Sequence, residues 1–124
     1  MKINKVLVCD DSKTEHINID RIISSTGCTV ITAYSGQEAI DKAREEKPDL
    51  IFLDILMPDM GGYETCRMIQ SDPELKDIPV IFITSKDQKS DQLWAKMQGG
   101  KDLIVKPYED EQIVDRLVEP GDQT

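Results

Sequence analysis

The sequence predicts an α/β fold in which five parallel strands form one doubly wound sheet with helices on both faces. Five short apolar runs recur along the chain, and they are continuous and rich in β-branched residues, as is typical of strands covered on both faces. Polar stretches of helical length separate them, and right-handed crossovers of this kind place helices on both sides of a sheet. The runs lie at 5–9, 29–33, 50–53, 80–83 and 103–105.

Helix signals mark the stretches between the strands. In the first stretch, three isoleucines predict an inward-facing stripe, namely Ile17, Ile22 and Ile23. Ser35 followed by Glu38 predicts a capping box at the start of the second helix, and Pro48 predicts its end. Three further helices are predicted at about 61–70, 89–98 and 110–119, the last ended by Pro120.

Length and charge bound the kind of protein this is. A chain of 124 residues has the size of one domain, so we expect a single domain over residues 1–124. Its net charge of −9 argues against nucleic-acid binding, which depends on Lys and Arg. No apolar run approaches the roughly 20 residues that span a bilayer. We therefore expect no membrane insertion and a cytoplasmic location.

The sequence offers little for thiol or histidine chemistry. Cys9, Cys28 and Cys66 are odd in number and widely spaced, so we expect reduced thiols that act as small hydrophobic groups. His16 is the only histidine, which excludes a metal site built from several histidines. We expect it to be a surface residue of the first helix rather than a phosphohistidine.

Polar residues follow four of the five predicted strands. Ligands of doubly wound sheets bind where the carboxyl ends of strands meet at a change in strand order. The second run ends in Ala33-Tyr34 and contributes nothing obvious, as expected for an edge strand in the order 2-1-3-4-5. The other runs end in Asp10-Asp11, Asp54, Thr84-Ser85 and Lys106-Pro107.

Crowded carboxylates at this edge indicate a divalent cation. Acidic groups held close together repel each other, and Mg²⁺ accepts a few carboxylates while leaving positions open for phosphate oxygens. Asp10 and Asp11 are paired and suit the metal, and the backbone carbonyl of Leu56 is a further candidate ligand. Asp54 lies alone between apolar residues and is the candidate nucleophile for an aspartyl phosphate.

Lys106 and Thr84 complete the parts needed for phosphoryl transfer. A fixed positive charge and a hydroxyl on the far side of the same oxygens would position the group and neutralise its charge. Each of these residues alone is a weak signal. Together, in order at the ends of four strands, they indicate a phosphoryl-transfer site.

Several segments resemble the receiver domains of two-component response regulators. They are V-C-D-D-S at 8–12, D-I-L-M-P-D-M-G-G-Y-E at 54–64, I-T at 83–84 and V-K-P at 105–107. The resemblance covers about residues 5–118, so we expect a receiver domain without an output domain. It implies a flavodoxin-like or CheY-like fold and a binding switch rather than an enzyme with a separate substrate. Such a switch catalyses only its own phosphorylation and dephosphorylation.

The resemblance also implies the roles of individual residues. Asp54 would accept the phosphoryl group from a histidine kinase or a small phosphodonor, and Asp10 and Asp11 would bind Mg²⁺. Thr84 would follow the phosphate on activation, and Lys106 would contact it before a cis proline, Pro107. The partner surface would comprise helix 4, strand 5 and helix 5, with Trp94 as an anchor. A monomer or a weak dimer is expected.

A narrower likeness concerns the region around helix 4. K-D-Q at 86–88, Trp94 and Q-G-G-K-D at 98–102 resemble the stand-alone regulators of type IV pilus twitching motility, the PilH kind, which are relatives of chemotaxis regulators. This likeness implies a CheA-like histidine kinase as phosphodonor and the motility machinery as the downstream target.

Two positions depart from the usual receiver pattern. Leu103 replaces the aromatic residue that many receivers carry three positions before the lysine, so signalling is expected to run through the loops around Thr84 and helix 4. Leu56 offers no polar group to orient water, so we expect slow hydrolysis of the aspartyl phosphate. A small Mg²⁺-dependent phosphohydrolase remains an alternative, although Leu56 cannot protonate a leaving group. A phosphate sink for a shared kinase is another.

Overall fold

Five strands alternate with five helices in the computed structural model, which describes residues 3–85 and 89–117, without the side chains of residues 89–92. Each predicted strand and helix is present. The bounds are β1 Lys5–Cys9, α1 Lys13–Ser24, β2 Thr29–Ala33, α2 Gly36–Glu46, β3 Leu50–Asp54, α3 Gly62–Ser71, β4 Val80–Thr84, α4 Lys89–Met97, β5 Asp102–Val105 and α5 Asp110–Arg116. The predicted end of α5 near Pro120 lies outside the described residues.

The strands form one parallel sheet in the order β2-β1-β3-β4-β5, which confirms the predicted topology. β1 pairs with both β2 and β3, so the change in strand order falls between β1 and β3. In the register, Cys9 lies opposite Leu53, and Asp54 lies opposite Ile83. The residues that follow β1, β3 and β4 therefore emerge side by side at one edge.

The core has two layers, one on each face of the sheet. Ala39 and Ile40 of α2 and Cys66 of α3 pack against one face. Ile22 of α1 and Ile113 of α5 pack against the other. β3 and β4 are buried along their whole length, because helices cover both of their faces.

Helix α1 corrects two of the predictions. Ile17 is 68% exposed, so its place in the inward stripe was wrong. His16 is only 3% exposed, so the prediction of a surface histidine was also wrong. The inward face is formed by His16, Ile19, Ile22 and Ile23, which recur at the spacing of three to four residues that puts side chains on one side of a helix.

Helix α2 shows how the predicted capping signals are used. The hydroxyl of Ser35 accepts a hydrogen bond from the amide of Glu38. The Glu38 carboxylate accepts from the amide of Tyr34 rather than from that of Ser35, so only half of the predicted capping box forms as expected. Lys47 takes a left-handed conformation with φ 50°, and the helix ends before Pro48 as predicted.

The cysteines are free, as predicted. Burial raises the pKa of the Cys9 thiol to about 12 and that of Cys66 to about 11, so both act as small hydrophobic groups. Among the described residues, no helix has the length and apolar character required to cross a membrane.

Candidate phosphoryl-acceptor site

Three carboxylates meet at the edge of the sheet where β1 and β3 end. Asp10, Asp11 and Asp54 each offer one oxygen, and these oxygens all lie within 4.8 Å of one another. Asp10 and Asp54 are buried, whereas Asp11 is exposed. We call Asp10, Asp11, Asp54 and Lys106 the binding corner. The predicted convergence of acidic groups is therefore present in the structure.

Lys106 reaches this corner from the end of β5. Its ammonium lies 3.0 Å from Asp10 Oδ2 and 3.9 Å from Asp54 Oδ2. It also lies 3.9 Å from Glu15 Oε2, a contact for which the sequence carries no signal. Burial alone would lower the pKa of Lys106, but the hydrogen bond to Asp10 and the charges of Asp54, Asp10 and Glu15 outweigh it and raise the pKa overall. Lys106 is therefore a fixed positive charge.

The carboxyl of Asp54 has a raised pKa. Burial raises the pKa of its carboxyl to about 6, and the neighbouring charge of Asp10 adds to the shift. Lys106 and a hydrogen bond from the backbone N–H of Leu56 oppose the shift without cancelling it. The corner is therefore short of positive charge, because one ammonium faces several carboxylates.

A divalent cation fits this arrangement. The available donors are carboxylate oxygens, which are the ligands that Mg²⁺ prefers. Burial and the neighbouring charge of Asp10 raise the pKa of Asp54, and an added double positive charge would offset both effects. Asp10, Asp11 and Asp54 are the residues that could hold it. The backbone carbonyl of Leu56 stays a predicted ligand. The side chain of this residue is half-exposed.

Each polar group of Asp10 has a partner. Its amide donates to the carbonyl of Ala33 at 3.1 Å, and its Oδ2 accepts from Lys106. Its Oδ1 accepts from the amide of Ser12 at 2.8 Å, and its carbonyl lies 2.8 Å from Nε2 of His16. This carboxylate is therefore held in one position before any ligand arrives.

Two residues that fix the start of α1 were not identified from the sequence. Ser12 caps the helix by accepting a hydrogen bond from the amide of Glu15 at 3.3 Å. The pattern S-x-x-E at 12–15, which resembles a capping box, was a signal that could have revealed it. From this first turn, the Glu15 carboxylate lies 3.9 Å from the Lys106 ammonium.

The β4 and β5 side of the site lies next to the binding corner. Thr84 is buried, and its carbonyl accepts from the amide of Lys106 at 2.7 Å. The peptide bond between Lys106 and Pro107 is cis, as the resemblance implied. The K-D-Q segment at 86–88, which belongs to the narrower likeness, lies outside the described residues. A cavity of about 370 Å³ opens here, lined by Glu15, Asn18, Ser85, Lys106, Pro107 and Tyr108.

Leu103 and Trp94 differ in their surroundings. Leu103 is buried and lies opposite Phe82 in the pairing of β4 with β5. Trp94 is half-exposed, and its ring meets the edge of Tyr63, which in turn contacts Phe82. Leu93 and Met97 are about two thirds exposed. We call Leu93, Trp94 and Met97 the outer face of α4.

A parallel sheet in the order 2-1-3-4-5, with an acidic corner at one edge and a lysine directly after β5, is the architecture of a CheY-like receiver domain. Residues 6–118 match the model of the response regulator receiver domain, and the chain belongs to that family. Receiver domains take part in two-component signalling and bind Mg²⁺ at an acidic pocket.

Individual relatives agree with this assignment. The chain is 37% identical over 110 residues to protein PilH of Pseudomonas aeruginosa, covering 89% of this chain and 91% of PilH. It is also 37% identical to protein PilG of the same organism, covering 89% of this chain and 82% of PilG. The solved structure of chemotaxis protein CheY4 of Vibrio cholerae superimposes with a TM-score of 0.86 at 29% identity, covering 93% of this chain and 96% of that one.

Proposed function

We propose that this chain is a phosphorylation switch in which Asp54 accepts a phosphoryl group from a histidine kinase or a small phosphodonor in the presence of Mg²⁺. One observation carries the proposal. Three carboxylate oxygens from the ends of β1 and β3 lie within 4.8 Å of one another, and the Lys106 ammonium lies 3.9 Å from Asp54. Such a set of groups suits the transfer of a phosphoryl group to a carboxylate.

The proposed step is an in-line displacement at phosphorus. A carboxylate oxygen of Asp54 attacks the phosphorus, and the bond from phosphorus to the leaving group breaks, so that acetate leaves with the electron pair when the donor is acetyl phosphate. Mg²⁺ held by Asp10, Asp11, Asp54 and the Leu56 carbonyl would supply positive charge to the phosphate oxygens. Lys106 would neutralise the same oxygens from the other side.

The direct test is labelling with acetyl phosphate and Mg²⁺, followed by peptide mapping of the added mass. We expect one phosphoryl group per chain, on the peptide that contains Asp54. D54N should abolish the label. D59N is the matched control, because Asp59 is an exposed residue of the same loop, and its label should equal that of the wild type. Label on another residue, or none in the wild type, would refute the proposal.

Counting the phosphates released per chain distinguishes a switch from a phosphohydrolase. A phosphohydrolase would release many phosphates per chain from an ester such as p-nitrophenyl phosphate. Leu56 occupies the position where such an enzyme needs an acid, and its side chain is apolar and half-exposed. We therefore expect phosphorylation to stop at one group per chain, with only slow release.

We propose that residues 1–124 act as one receiver unit whose output is contact with another protein. Phosphorylation would draw Thr84 and Lys106 toward the new charge and repack the loop around Ser85. The outer face of α4 supports this output, because large apolar side chains exposed together favour a protein partner. Its aromatic member, Trp94, is suited to anchor that partner.

We also propose that the pathway is motility control of the type IV pilus or chemotaxis kind. The 37% identity to PilH and PilG supports this proposal. Its test is phosphotransfer from a purified CheA-like kinase labelled with radioactive ATP. Rapid transfer to the wild type but not to D54N would support it. Transfer no faster than from an unrelated histidine kinase would argue against it.

A further inference from the structure

The buried His16 lies beneath the binding corner and touches the backbone that carries its carboxylates. Its Nε2 is 2.8 Å from the carbonyl oxygen of Asp10 and 3.1 Å from that of Ala33. Both neighbours are carbonyls, which can only accept, so Nε2 carries a proton and donates to both. The ring is 3% exposed and packs against the edge of Tyr34 at a centroid distance of 4.7 Å.

The two accepting carbonyls fix the backbone on either side of Asp10. The Asp10 carbonyl belongs to the peptide unit that joins Asp10 to Asp11, so its hydrogen bond orients the link between the two predicted metal carboxylates. The Ala33 carbonyl also accepts from the amide of Asp10 at 3.1 Å. His16 therefore links the end of β1 to the end of β2, and it does so at Asp10, the first residue of the binding corner.

We propose that His16 is a positioning residue for the metal site, and that its Nε2–H holds the Asp10–Asp11 peptide in the orientation that binds Mg²⁺. This inference rests on the proposed Mg²⁺ site and adds to it a residue that touches neither metal nor phosphate. Groups that hold metal ligands from behind usually change metal affinity by about 10-fold to 100-fold when they are removed. Loss of the donor would also leave the Asp10 carbonyl short of its partner, whereas the Ala33 carbonyl would keep its hydrogen bond from the Asp10 amide.

The test compares Mg²⁺ dissociation constants, measured by calorimetry, for two substitutions of His16. H16M keeps much of the volume but removes the donor, and we expect affinity at least about tenfold weaker than that of the wild type. H16Q retains an amide N–H and should restore most of the affinity. Y34L is the matched control, because it removes the ring that packs on His16 but no hydrogen bond to Asp10, and its affinity should stay close to that of the wild type.

The outcomes separate this inference from the proposed function. If the wild type and H16M bind Mg²⁺ equally well, His16 has no positioning role, whereas the Mg²⁺ site stands. If the wild type itself binds no Mg²⁺, the proposed function fails, and this inference fails with it. Equal weakening in H16M, H16Q and Y34L would show a general packing effect and would overturn the inference.

A measurement on the unchanged protein covers the case in which H16M fails to fold. Because the chain has one histidine, its ring nitrogens are assigned without ambiguity in a ¹⁵N spectrum. We expect the proton on Nε2 and a shift of the Nε2 resonance when Mg²⁺ is added. A proton on Nδ1 alone, or an Nε2 resonance that does not respond to Mg²⁺, would overturn the proposal.

Discussion

The binding corner and the outer face of α4 are built in opposite ways. At the binding corner, the buried Asp10 has a hydrogen-bond partner for its amide, its carbonyl and both carboxylate oxygens. On the outer face of α4, Leu93 and Met97 are about two thirds exposed. A charge site needs rigid ligands, whereas a partner surface needs apolar groups that remain accessible. The fold supplies one at the edge of the sheet and the other on a neighbouring helix.

The largest expected effect comes from the backbone that supports the binding corner. A Cβ on Gly62 would lie 2.2 Å from the carbonyl oxygen of Asp54, so G62A must displace either α3 or the end of β3. We expect G62A to lower the free energy of unfolding by about 3 kcal/mol, measured by urea denaturation.

Gly61 provides the control for this substitution. A Cβ there would be 3.5 Å from the nearest atom, the carbonyl oxygen of Ile55, which is an ordinary contact. G61A should change the free energy of unfolding by no more than about 0.5 kcal/mol. If G62A were as stable as G61A, the backbone at the end of β3 would yield easily to the added Cβ. The binding corner would then not be the rigid region that distinguishes it from the outer face of α4.

The second prediction concerns the charge of Asp54. Its pKa is raised from 3.8 to about 6, so the folded state holds this proton more tightly than the unfolded chain does. The stability that the carboxyl contributes is complete below pH 3.8 and is lost as pH rises through about 6. At neutral pH without metal, D54N should therefore be more stable than the wild type by about 1 to 2 kcal/mol, after allowance for solvent screening.

The pH dependence and the metal dependence test this origin. The advantage of D54N should shrink toward zero as the pH falls to about 4, where the wild-type carboxyl is also neutral. Excess Mg²⁺ should stabilise the wild type at neutral pH and leave D54N nearly unchanged, because ligand binding stabilises only the state that binds it. D59N should match the wild type throughout. A D54N variant that is less stable than the wild type at neutral pH would contradict the cost assigned to burying the Asp54 charge close to that of Asp10.

The binding corner was largely predictable from the sequence, and the reason is topological. Asp10 and Lys106 each follow an apolar strand and Asp54 ends one, and parallel strands bring their carboxyl ends to one edge. The absence of a polar group at the end of β2, at Ala33, fitted a strand order with β2 at the edge, which the structure confirms. These inferences need only local patterns and the rules of crossover connections.

The role of His16 was not predictable in the same way. Its burial depends on two carbonyl oxygens, of Asp10 and Ala33, that approach it only when β1 and β2 are paired. A polar ring between Glu15 and Ile17 gives no sign of such partners. The exposure of the outer face of α4 was also hard to predict. An apolar residue such as Leu93 suggests a buried position in a sequence, yet its side chain is exposed.

The third prediction concerns Leu56, whose backbone N–H donates to the Asp54 carboxylate of the binding corner. Its side chain is exposed beside Asp54, and it has no group that orients an attacking water. L56N should speed the loss of phosphate from the labelled protein by roughly threefold to tenfold, which corresponds to about 1 kcal/mol in the barrier. The rate is measured after removal of the phosphodonor. L93N, the same change at an exposed leucine of α4, should leave it unaltered, and an unaltered rate in L56N would refute this role.

The smallest expected effect on stability comes from the outer face of α4. Leu93 and Met97 are about two thirds exposed, so the double variant L93K/M97K should change the free energy of unfolding by no more than about 0.5 kcal/mol. Ala95 of the same helix is buried, and A95L should cost about 1 to 3 kcal/mol through overpacking.

Phosphorylation of L93K/M97K by acetyl phosphate should equal that of the wild type, because neither residue belongs to the binding corner. A loss of phosphorylation in L93K/M97K would show that the two regions depend on each other even without a partner. Unchanged phosphorylation together with lost binding of the downstream protein would assign the chemistry to one region and recognition to the other.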